Sequence, residues 1–291
     1  MNNIRVIPRL DIKGPNLVKG IHLEGLRVLG EPHQFAKYYY QAGADELLYM
    51  DGVASLYGRN SLNEIIKETA KDIFIPLTVG GGIRTLDDIS NVLKSGADKA
   101  SLNTSVINTP DFIKEASKKF GSSTITVTIE AIKQSDGTYL AFTDNGREYT
   151  GLDAIEWAGR VAELGAGEII LTSVDKEGTG SGYDVSLTKA ISDAVGIPVV
   201  ASGGAGKCEH CIDIIRDGHA DAISVASMFH YYYISTNKIH FSNRDEGNID
   251  YLKTGNTPSR ITTTTIKEIK NTLIENGFMC RPIEKYIESS R

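Results

Sequence analysis

Residues 79–104, VGGGIRTLDDISNVLKSGADKASLNT, return in altered form as residues 201–227, ASGGAGKCEHCIDIIRDGHADAISVAS. In the first copy Gly81-Gly82 leads to Ile89 and Leu93, then Gly96-Ala97-Asp98, then Ser101-Leu102-Asn103-Thr104. In the second, Gly203-Gly204 leads to Cys211 and Ile215, then Gly218 and Ala220-Asp221, then Ser224-Val225-Ala226-Ser227; the spacing agrees to one residue. Gly43-Ala44-x-Glu46 likewise recurs as Gly165-Ala166-x-Glu168, and Asp11 and Glu130 hold matching places. Chance likeness among glycine-rich turns would not keep the order of matches, so the chain reads as a half repeated once.

Outward from the repeat, strand-like runs end near Asp11, Asp51, Val79, Asn103, Glu130, Ser173, Ser202 and Ala226. Segments with apolar residues at helical spacing lie between them: Pro32–Ala42, Leu62–Ala70, Leu86–Lys94, Pro110–Phe120, Asp153–Leu164, Ser186–Ala194 and Glu209–Arg216. Such alternation demands parallel strands joined by helical crossovers. An open doubly wound sheet would show the same periodicity. The duplicated half favours closure into a single α/β domain, a (β/α)8 TIM barrel over residues 1–291. In a barrel all strand C-termini share one face, so Asp11 and Glu130 should meet across it.

Composition narrows the functional classes. The chain has 291 residues and a formal net charge of −6, which argues against a basic nucleic-acid surface. No apolar run is long enough to span a bilayer, and the N-terminus carries no signal-peptide pattern. Three cysteines make no disulfide framework, which suits a reducing cytoplasm. Cys208-x-x-Cys211, with His210 inside it, lacks a second ligand pair and reads better as two helix-face thiols than as a zinc or redox motif. The acids lack a converging histidine cluster, so no metal is implied, and no cofactor is expected.

Two stretches look like phosphate cradles. Val79-Gly80-Gly81-Gly82 ends a strand before a helix, and Asn103-Thr104-Ser105 ends the next. Ala201-Ser202-Gly203-Gly204-Ala205-Gly206 and Ala226-Ser227 repeat the arrangement. Glycine N–H groups, a helix start and small hydroxyls together bind anions. Tight βα turns would also need these glycines for backbone reasons alone. Two cradles in matching places favour a substrate with a phosphate at each end.

At this point the sequence resembles the cyclase subunit of imidazole glycerol phosphate synthase. The matching segments include Ile7-Pro8-x-Leu10-Asp11-x-Lys13, Val18-Lys19-Gly20, Gly43-Ala44-Asp45-Glu46-Leu47, Ile75 to Arg84, Gly96-Ala97-Asp98-Lys99, Gly165-Ala166-Gly167-Glu168-Ile169, Leu171-Thr172-Ser173, Gly178-Thr179-x-Ser181-Gly182-Tyr183-Asp184 and Ala201 to Gly206. They cover residues 1–230 and resume near residue 263. The resemblance implies a glutaminase partner whose ammonia crosses the barrel axis. The ammonia would convert a ribulosyl aminoimidazole carboxamide nucleotide with two phosphates into imidazole glycerol phosphate and aminoimidazole carboxamide ribotide. Asp11 matches the general acid, and Glu130 stands where the family has an aspartate as general base. Lys19 matches a flexible-loop residue that covers the substrate, and Asp51 and Thr172 match residues lining the site. Gly82, Asn103 and Thr104 match one phosphate site; Ser202, Gly203, Gly204, Ala226 and Ser227 match the other. Arg5, Glu46, Lys99 and Glu168, with Thr78, match a charged gate at the barrel floor, and Asp98 matches a glutaminase-interface position. The gate residues also share strand parity with inward-facing positions, as an ion-pair plug would.

Three departures stand out. Glu130 adds a methylene to the expected base, and a misplacement of about 1 Å costs roughly a hundredfold in rate. Arg9 replaces a small residue on an inward-facing position, where an unpaired cation is very costly; it should pair with Glu130 or Asp11. Residues 231–262, between strand eight and the last helix, read as an insertion on the catalytic face. In these features the chain resembles paralogues from bacterial surface-polysaccharide clusters. That suggests an alternative, an ammonia conduit serving a sugar amidotransferase. A sibling isomerase sharing the barrel is disfavoured by the charged ring.

Overall fold

A computed structural model describes residues 3–52, 62–236 and 260–283. Its strands are β1 (Arg5–Lys13), β2 (Asn16–Ile21), β3 (Glu24–Gly30), β4 (Leu47–Asp51), β5 (Leu77–Gly80), β6 (Lys99–Leu102), β7 (Ile125–Lys133), β8 (Tyr139–Thr143), β9 (Glu148–Asp153), β10 (Glu168–Ser173), β11 (Val199–Ser202) and β12 (Ala222–Val225). Its helices are α1 (Pro32–Gln41), α2 (Asn63–Ala70), α3 (Leu86–Lys94), α4 (Thr104–Asn108), α5 (Asp111–Phe120), α6 (Ala154–Glu163), α7 (Val185–Ala194), α8 (Cys208–Arg216), α9 (Ser227–Thr236) and α10 (Ile266–Glu275).

Strands β1, β4, β5, β6, β7, β10, β11 and β12 pair in that order, all parallel, and β12 returns to β1. The fold is the closed (β/α)8 barrel that the duplicated half implied. β1 and β7 stand opposite each other in the ring, four steps apart. Strand parity sorts their side chains. Val6, Leu10 and Ile12 of β1 join the large core with Phe35, Ala36 and Tyr39 of α1. Ile7 instead joins Leu48, Met50, Ile170, Val200 and Ala222 in a separate small apolar cluster, the inward-facing positions of their strands.

Helix starts follow sequence signals. Thr85 and Asp88 form a capping box on α3, and Thr265 and Glu268 do so on α10. Asp153 and Asp184 cap α6 and α7 through their carboxylates. Each such cap contributes about 1 kcal/mol.

The alternation of strands and helices does not reveal two antiparallel excursions. β1 runs past Asp11 into the β2–β3 hairpin, and β7 runs past Glu130 into the β8–β9 hairpin. These strands are short and partly exposed, so they show little periodicity to read. They occupy the same place in each half, over the barrel mouth.

α9 extends through Thr236, six residues into the stretch read as an insertion. Its Tyr233 ring packs 4.6 Å from those of Phe35 and Tyr38 on α1. Residues 237–259 lie outside the described residues. The chain is described again at Arg260, and Thr262 N–H donates to Gly206 O at the rim.

Candidate active site

Both acids reach the barrel mouth from opposite strands. Asp11, on β1, is buried; it accepts from Arg9 Nε at 2.8 Å, and Lys19 Nζ lies 3.8 Å away. Glu130, on β7, is also buried and accepts from Gly146 N–H at 2.8 Å. Burial works against charge on both. At Asp11 the Arg9 and Lys19 cations outweigh it and hold the carboxyl below its ordinary value. At Glu130 burial wins over the Gly146 N–H and the more distant Arg9 charge, pushing the carboxyl up to about 7. The two groups are thus set apart in proton affinity, as a division of acid and base work requires.

Of the two partners offered to Arg9 by the sequence, the structure selects Asp11. The Arg9 side chain is 3 % exposed, and Nη1 also donates to Thr172 Oγ1 at 3.0 Å and Ser202 Oγ at 3.2 Å. Thr172 and Ser202 therefore serve the layer beneath the acids. Lys19 lies on β2 rather than in a loop. It is buried in an ion pair with Glu177, which the sequence reading did not single out. Glu177 follows β10 as an acid in a βα connection, a signal available in the sequence. Gly146 N–H offered none, because its place depends on the fold of the hairpin.

The first cradle forms a cavity between Gly82, Asn103 and Thr104, reaching Asp51 and Glu130. Asp144, from the β8–β9 turn, enters it and accepts weakly from Thr104 Oγ1 at 3.4 Å. The second cavity lies between Gly203, Gly204, Ala226 and Ser227, with Arg9 and Ser202 on its wall. Both glycine turns are also fixed by close backbone approach. A Cβ on Gly81 would fall 2.5 Å from Asp51 O, and one on Gly204 2.1 Å from Gly182 O. Glycine is required here whether or not an anion binds.

At the opposite end of the axis the charged residues close into a cycle. Arg5 pairs with Glu46 and Glu168, and Lys99 pairs with the same two acids at 3.0 Å each. Thr78 Oγ1 donates to Glu46. Asp98 sits beside this floor, where its carboxylate accepts from Leu77 N–H at 2.8 Å. The two thiols of the CxxC stretch lie on α8. Cys211 is buried and its thiol is pushed up by burial, Cys208 contacts Thr264, and no metal-ligating cluster occurs among the described residues.

Fold and site together define a class: a duplicated (β/α)8 barrel whose mouth holds a carboxylate pair between two glycine-lined cavities. The histidine biosynthesis protein family matches residues 5–235. The chain is also similar to imidazole glycerol phosphate synthase subunit HisF of Legionella pneumophila, 56% identical over 209 residues that cover 72% of this chain and 99% of that relative. The chain belongs to the histidine biosynthesis protein family.

Proposed function

We propose that this chain is the cyclase subunit of an imidazole glycerol phosphate synthase. The observation that carries the reading is the placement of Asp11 and Glu130 on opposed strands between two cradles. A substrate with a phosphate at each end would span the mouth and bring its reacting centre between the acids. A glutaminase partner would dock at the floor and supply ammonia through the axis. Attack of ammonia on the ribulosyl carbonyl requires a proton for the departing oxygen. Ring closure and cleavage then require protons to be removed and returned. Asp11 and Glu130 carry these transfers. In the resting site the Arg9 and Lys19 cations outweigh burial and hold Asp11 below its ordinary value, whereas burial holds Glu130 above its own, so the two carboxyls differ in proton affinity and together supply the transfers. The conduit reading is not adopted, because the matching family and the one relative reported above both bear names from histidine biosynthesis.

The test supplies the purified chain with the bis-phosphate nucleotide and ammonium salt at alkaline pH, without glutaminase, and follows substrate loss. Turnover is expected. Tight binding without turnover would overturn the cyclase reading.

A further inference from the structure

Arg9 breaks the two-fold repeat at the point where symmetry would matter most. Asp11 corresponds to Glu130, so Arg9 corresponds to Thr128, whose hydroxyl is engaged with Ser101 at 2.7 Å. The second cradle thus has a guanidinium in its wall where the first has a small hydroxyl.

The donor inventory of that guanidinium is incomplete. An arginine head carries five N–H donors. Nε is engaged by Asp11, and Nη1 by Thr172 and Ser202. Among the described residues Nη2 meets no acceptor, although the side chain is 3 % exposed and lines the cavity beside Gly203, Gly204 and Ser227. Glu177 shares that wall, but its carboxylate is engaged by Lys19. A guanidinium edge left without a protein acceptor on a cavity-lining side chain is offered to an anion placed there.

We propose that Arg9 is a direct ligand of the anion in the second cradle, its Nη2 edge donating to one phosphate monoester of the substrate. The assignment rests on the bis-phosphate reading above and names the side chain that makes the two cradles unequal. It has a second consequence. The same guanidinium holds Asp11, so a dianion seated against Nη2 draws on the charge that keeps Asp11 ionised.

Inorganic phosphate is the probe, titrated calorimetrically into the full chain. The wild type should bind it at two sites of unequal affinity. Arg9→Gln should weaken the tighter site about tenfold or more and leave the other unchanged. Arg9→Lys, which keeps the charge but loses the fork, should fall between. Thr104→Val should weaken only the other site. Should Arg9→Gln fail to fold, wild-type chain labelled with ¹⁵N in its arginine guanidinium groups gives the same answer. Saturating phosphate should move the Arg9 Nη signals, assigned by their absence from Arg9→Lys. Two intact phosphate sites that ignore Arg9→Gln, or Arg9 signals that stay in place at saturation, would overturn this proposal alone. A wild type that binds no phosphate would remove the bis-phosphate reading with it.

Discussion

At Glu130 a single side chain links pH, stability and chemistry. Its carboxyl is raised from an ordinary value of 4.5 to about 7 by burial, so the folded chain holds that proton more tightly than the unfolded one. The associated stability is fully present below pH 4.5 and is lost as pH rises through about 7. Glu130→Gln should therefore leave the melting temperature unchanged at pH 4.5. At pH 8 it should stabilise the chain, by up to about 3 kcal/mol; equal shifts at both pH values would contradict the burial argument. The same variant should lower ammonium-driven turnover by roughly 10²–10⁴-fold and remove the limb of the pH profile near neutrality. Sequence parity alone placed Arg9 inside the barrel beneath Asp11. It left the partner of Arg9 open, because the hairpin that supplies Gly146 N–H to Glu130 leaves little periodic signal in its residues.

Among the elements, the turns at the barrel floor reveal a device in triplicate. Asp45 accepts from Val6 N–H, Asp98 from Leu77 N–H and Asp221 from Val199 N–H, each at 2.8–2.9 Å. In every case an aspartate ahead of one barrel strand clips the start of its neighbour. The resemblance offers a partner-interface role for Asp98, whereas its two counterparts show that the position also performs a structural task. Asp98→Ala should destabilise the isolated chain by about 1 kcal/mol, read by denaturant unfolding without any partner. Asp98→Asn, which retains an acceptor oxygen, should lose less. Unchanged unfolding in Asp98→Ala would leave the interface as that residue's sole role. The Ala-Asp pair that precedes three of the barrel strands, at Ala44-Asp45, Ala97-Asp98 and Ala220-Asp221, is the sequence trace of this clip. The closed order of strands was legible for the same reason: each half had to bury the same faces.

Taken along its axis, the molecule changes character in layers. The Arg5–Glu46–Lys99–Glu168 cycle lies at the floor, the small cluster around Ile7, Leu48 and Ile170 above it, then Arg9 with Thr172 and Ser202, then the two acids. The order was legible on β1, where Arg5, Ile7, Arg9 and Asp11 share parity. That the four floor charges touch was not, because contact depends on how four separate strands are staggered. As found, the cycle is closed, with each acid holding both cations. On the proposed reading, ammonia delivered from a partner at the floor would have to pass it, whereas ammonium supplied in solution would reach the mouth directly. Lys99→Ala removes one cation and leaves Glu46 and Glu168 sharing Arg5, so the cycle opens at one corner. Ammonium-driven turnover should stay within about twofold of wild type, since the acids and cradles are a barrel length away. Turnover driven by glutamine with the partner present should instead lose its match to glutamine hydrolysis, by on the order of tenfold for a misaligned transfer step. Parallel assays of glutamate release and substrate loss measure that ratio. If the ratio holds and both activities fall together, the four charges act as a structural plug whose loss loosens the whole barrel.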